Sequence, residues 1–159
     1  MPPKKEAKLL KPIINDLSNK FSGPVFEPHI TIISGFKGNE KLLLNKAECF
    51  SKLIKPFYVS FKELDTSNHF FCSLYISIIK NLEIESARIL AEKVFDIQMV
   101  DYMPHMSLAY GDYSKDKKNE MIGTINSTPD GFFVDQIYLA YNDEINLKWK
   151  IIDNFSLNK

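Results

Sequence analysis

The 159-residue sequence lacks any long hydrophobic run; fragments such as "SLYISII" fall far short of the ~20 apolar residues that cross a bilayer. Its amino terminus, "MPPKKEAKLLKPIINDL", lacks the apolar centre and small-residue cleavage site of a secretion signal and reads as an amphipathic helix. Cysteine is scarce. Cys49 and Cys72 lie outside any CxxC pair, so two unbridged thiols and a reducing, cytoplasmic setting are expected. Net charge is absent too: 20 Lys and Arg balance 20 Asp and Glu, which disfavours the non-specific coating of long nucleic acid. Arginine is nearly missing, with Arg88 alone. An anion site must therefore draw on hydroxyls, backbone N–H groups and histidine rather than guanidinium forks.

What is present repeats. Residues 5–20 place Leu9, Ile13 and Leu17 at helical spacing, with a kink or early break expected at Pro12. "VFEPHITII" reads as a strand, residues 39–56 as a helix, and "FYVSFKEL" and "FFCSLYISII" as strands joined by "DTSNH". The order then restarts. A helix carries the stripe Ile84, Ala87, Leu90, Ala91 and Val94, followed by the strand "YMPHMSLAY" and a short charged helix. "GFFVDQIYLAY" and "LKWKIIDNFSL" close the chain as a strand pair. Both halves thus read helix, strand with His, helix, strand, strand, an internal duplication with lobes at about 4–80 and 82–157. The two are expected to pack as one domain over 1–159.

"PHITII" and "PHMSLA" occupy the same place in the two halves. Alternate residues of a strand share a face, so His29 lies with Thr31 and His105 with Ser107. Two lobes facing one another would bring two imidazoles and two hydroxyls into one groove. Such a set suits phosphodiester cleavage without a metal. One neutral imidazole takes a proton from water, the other, protonated, gives one to the departing oxygen, and the hydroxyls hold phosphate oxygens. Metal binding would need further ligands, and no HxH or HxxxH spacing supplies them. In "HFFCSLYISI", alternation sets Phe71 with Ser73, Tyr75 and Ser77 toward the cleft, a candidate for stacking on a base or ribose. Trp149 reads as core.

At these motifs the chain resembles the 2H phosphoesterase superfamily, and within it the eukaryotic-type cyclic phosphodiesterases. "GPVFEPHITII", "DYMPHMSLAYGD", "FFCSLYISI" and "DQIYLAYNDEINLKWKII" carry the likeness, from about Pro2 to Leu157. The resemblance implies an α+β, bilobal, pseudo-twofold fold whose two antiparallel sheets line a central cleft, with helices outside. It also implies cofactor-free opening of ribose cyclic phosphates: ADP-ribose 1″,2″-cyclic phosphate, and nucleoside 2′,3′-cyclic phosphates opened to 2′-phosphates. His29 and His105 match the catalytic pair, Thr31 and Ser107 the phosphate-holding hydroxyls, and Tyr110 an aromatic near the substrate. Relatives open with a strand before the first helix, whereas this chain begins "MPPKK", so that strand is expected to be absent. The expected partner is a small cyclic-phosphate nucleotide, with RNA ends or 2′,5′-linked oligonucleotides as a second substrate class. A binding module without turnover is the alternative from another class. A monomer without membrane attachment is expected, and a vacant sheet edge would admit strand-mediated association.

Overall fold

The computed structural model of the chain describes residues 1–98, 100–143 and 148–158. Four helices, α1 (Lys4–Phe21), α2 (Glu40–Leu53), α3 (Leu82–Phe95) and α4 (Lys115–Thr124), pack against two antiparallel sheets. The strands are β1 (Phe57–Thr66), β2 (Leu74–Ile78), β3 (His105–Ala109), β4 (Gly131–Val134), β5 (Gln136–Asp143) and β6 (Lys148–Ser156). The first sheet runs β3-β2-β1-β4, and the second pairs β5 with β6. This is the α+β architecture with two antiparallel sheets that the sequence implied. No helix among the described residues is long and apolar enough to cross a membrane.

Helix boundaries follow local chemistry. Asn39, Asn81 and Ser114 each accept a backbone N–H of the first turn of α2, α3 and α4, satisfying donors that a helix start leaves unpaired. Helix α1 continues through Pro12, so of the kink or early break expected there the break does not occur. Its buried stripe is Leu10, Ile14 and Leu17; Leu17 is as anticipated, Leu10 and Ile14 take the places expected of Leu9 and Ile13, and Leu9 is exposed. Burial of residues on both sides of Pro12 holds the helix together despite the lost hydrogen bond. α1 lies against β3, while α2 lies against α3 and the β5–β6 pair. The apolar core draws on every helix and both sheets, including Leu10, Phe50, Ile84, Met121, Ile76, Met106 and Leu139.

Three strands differ from expectation. Residues 25–33 form no regular strand, and only Ile30 bridges, antiparallel, to Met106. Pro24 and Pro28 bring no N–H to a ladder, and the Glu27 carbonyl is taken by the His29 ring. Phe70–Cys72 turn as a 3₁₀ segment, so β2 starts only at Leu74. The turn is tied by Cys72 N–H to the His69 carbonyl and by the Ser67 hydroxyl to the Cys72 carbonyl.

The long strand read over 131–141 divides at Asp135. Its first part pairs with β1, Phe57 opposite Val134, and its second with β6. Where β4 enters, Gly131 has φ +148°, and a Cβ there would collide with the Val59 carbonyl oxygen. Gly131→Ala is therefore expected to cost roughly 2–3 kcal/mol. Urea denaturation should show a lower midpoint with an unchanged slope.

Candidate active site

The bridge between Ile30 and Met106 sets the geometry of the site. Paired residues of an antiparallel bridge share a face, and Met106 is fully buried, so Ile30 points with it toward the core. The flanking residues turn to the opposite side. The antiparallel sense sets His29 abreast of Ser107, and Thr31 abreast of His105. β2 extends this surface, with Tyr75 opposite Ser107 and Ser77 opposite His105. Tyr102 adds a second tie between the motif segments, its hydroxyl donating to the Thr31 carbonyl at 3.3 Å.

Both imidazoles are held in the same way. His29 Nδ1 lies 2.7 Å from the Glu27 carbonyl oxygen, and His105 Nδ1 lies 2.8 Å from that of Met103. A carbonyl only accepts, so each Nδ1 carries the proton, and in the neutral ring the free lone pair is on Nε2. The carbonyl in each case acylates a proline, Pro28 or Pro104. Proline brings no N–H of its own and holds the preceding residue extended, which presents that carbonyl to the ring. The repeated Pro-His is thus a device for aiming Nε2.

Burial favours a neutral His29. Burial pushes its pKa below the usual imidazole value; the bond to Glu27 acts the other way, while the α-amino group of Met1 and the His105 ring push it down further. A folded-state value below the unfolded one means that acid favours the unfolded chain, which binds the proton more readily. Stability is therefore expected to fall as pH drops through and below the ordinary histidine range, and His29→Gln should flatten that dependence. Denaturation at pH 7.5 and 5.5 checks both.

The remaining candidates gather around Ser107. Its hydroxyl is buried and donates to the Phe71 carbonyl at 2.9 Å. Thr31, by contrast, is exposed. The Tyr110 phenol, pushed up to about 12 by burial, meets the Ser107 hydroxyl, which acts in the opposite direction. Phe71 reaches the site through its 3₁₀ turn rather than by strand alternation, with its ring edge-on to Tyr110 at 5.4 Å. Lys118 of α4, almost fully buried, donates to the Ser67 carbonyl and the Asn68 side chain, anchoring the segment before this turn. A recess of about 490 Å³ opens beside Tyr110, lined also by Ser22, Pro24, Phe70, Asp112 and Tyr113.

Two aromatic residues join the site unannounced. Phe26 stacks on Tyr110 at 3.7 Å, with planes 11° apart. Trp149, read as core, is only partly buried and stacks on the His29 ring at 5.1 Å. Tyr75 meets His105 edge-on at 5.5 Å and donates to Asp65, its own phenol pushed up to about 12 by burial and that bond. Among the described residues, no three His, Cys, Asp or Glu side chains gather as metal ligands.

Comparison with known proteins decides the family. A family model described as cyclic phosphodiesterase-like protein matches residues 1–159. The chain belongs to the cyclic phosphodiesterase-like family. It is also 24% identical over 151 residues to a cyclic phosphodiesterase of Arabidopsis thaliana, covering 90% of this chain and 82% of the relative. Membership of the family, within the 2H phosphoesterases, supports hydrolysis of a cyclic phosphodiester as the reaction class.

Proposed function

We propose that the protein opens small ribose cyclic phosphates by two-histidine acid–base catalysis, with no metal in the reaction. The substrates are ADP-ribose 1″,2″-cyclic phosphate and nucleoside 2′,3′-cyclic phosphates, the latter opened to 2′-phosphates. The observation that carries this reading is the matched pair of imidazoles, each tethered at Nδ1 and offering Nε2 on the face shared with Thr31 and Ser107. One ring takes a proton from water as its oxygen bonds to phosphorus. The other gives a proton to the ribose oxygen as that P–O bond breaks. Thr31, Ser107 and neighbouring amides hold the non-bridging oxygens, where charge builds in the transition state. Tyr110 and Phe71, edge-on to one another beside Ser107, are the aromatic groups available to the nucleoside part of the substrate.

The test is incubation with 2′,3′-cyclic AMP and with ADP-ribose 1″,2″-cyclic phosphate, with and without EDTA, followed by chromatography of the products. EDTA-resistant formation of adenosine 2′-phosphate supports the reading. Folded protein that turns over neither compound would overturn it, and activity lost to EDTA and restored by a metal would replace the metal-free scheme.

A further inference from the structure

Trp149 has no part in the proton transfers, yet its indole lies nearly parallel to one of the two imidazoles. The centroids are 5.1 Å apart and the planes differ by 14°. Among the described residues the contact has no counterpart at His105, where Tyr75 presents a ring edge with the planes at 67°. The tether from Nδ1 to the Glu27 carbonyl fixes one in-plane direction of the His29 ring but leaves it free to rock about that bond. A flat aromatic surface against the ring removes this freedom. The residue comes from far along the chain: β6 and β5 form a hairpin in which Trp149 pairs with Asn142.

We propose that Trp149 is a positioning residue for His29, its indole face holding the imidazole plane so that Nε2 stays aimed at the phosphate, and its π-cloud favouring the ring in its protonated form. This rests on reading His29 as one of the acid–base pair, whereas the physical contact is testable without turnover. An aromatic face attracts a cation, so the stack opposes the burial that keeps His29 neutral. The other charges acting on the ring are His105 of β3 and the α-amino group of Met1. Glu27 of its own segment is engaged by Lys11 of α1 at 2.6 Å, and Lys150, next to Trp149 on β6, is exposed.

The experiment is an NMR titration of the imidazole signals in the full chain, in Trp149→Leu and in Trp149→Phe. In the unmodified protein the His29 ring protons are displaced upfield by the indole ring current. Trp149→Leu removes that displacement and moves the His29 titration midpoint down. Trp149→Phe restores both in part. With 2′,3′-cyclic AMP as substrate, Trp149→Leu lowers kcat roughly tenfold with KM within about twofold, and phenylalanine recovers most of the loss. Unchanged His29 signals in both variants overturn the proposal, as do equal shifts of both histidines. A raised KM with kcat intact makes Trp149 a substrate platform instead, and equally overturns it. Absence of turnover in the unmodified protein would remove the proposed reaction while the His29 signals still decide the contact.

Discussion

Alanine in place of either His29 or His105 is expected to lower turnover of 2′,3′-cyclic AMP by roughly 10²–10⁴-fold, and the double substitution should cost little more. Proton removal from water and proton delivery to the leaving oxygen belong to one displacement, so losing either partner stalls the whole step. Asparagine is the sharper substitution. Its side-chain amide can replace Nδ1 as donor to the carbonyl of Glu27 or Met103, preserving the tether, but it has no Nε2. Stable, folded and inactive His29→Asn and His105→Asn proteins therefore separate chemistry from packing. Retention of more than about a tenth of the activity by His105→Asn would contradict the pairing. In the unmodified protein, the rate should pass through a maximum with pH. Burial of His29 predicts that the limb it governs lies below the ordinary histidine range.

The second large effect divides the two hydroxyl residues, which sequence alone treats as equivalent. Thr31 is exposed, and its removal leaves no buried group unpaired. Thr31→Val is expected to cost roughly 10–10³-fold in kcat with a near-normal melting curve. Ser107 is buried, and its single proton goes to the Phe71 carbonyl. Ser107→Ala should cost a similar factor in turnover and also about 1–2 kcal/mol of stability, because the Phe71 carbonyl loses its donor. To hold a phosphate oxygen the Ser107 proton must turn away from Phe71. Substrate binding should therefore loosen the 3₁₀ turn, measurable as faster amide hydrogen exchange around Cys72 on adding a non-hydrolysed phosphate analogue. Equal stability of the two variants would refute the distinction.

Much of this was legible from the chain because the signals are local or repeated. Asn39, Asn81 and Ser114 stand where helices begin, and apolar spacing marks α3 to within a residue or two. The pair of Pro-His motifs singled out His29, Thr31, His105 and Ser107, and the bridge of Ile30 to Met106 lays those two segments side by side. What escaped depends on partners distant in sequence. Asp135 and Gln136 interrupt the run of 131–141 without any Gly or Pro turn signal, so nothing local says that its two ends belong to different sheets. The 25–33 segment has strand composition, but its prolines and the carbonyl captured by His29 leave it one bridge. Phe71 reached the cleft by a route that alternation does not describe, since three residues of 3₁₀ turn reset the phase. Trp149 looked like core because tryptophan usually is. Only pairing in the closing hairpin shows that its face meets His29.

The single bridge at Ile30 and Met106 works as a fulcrum. The span between the imidazoles is not averaged over a ladder of hydrogen bonds; it rests on one backbone pair and the Tyr102 tie to Thr31, backed by a methionine side chain with no exposed surface. Met106 can never touch a substrate from where it sits. Yet trimming it would let one motif pivot against the other, so the residue that gauges the gap between the two histidine segments lies on the dry side of the sheet.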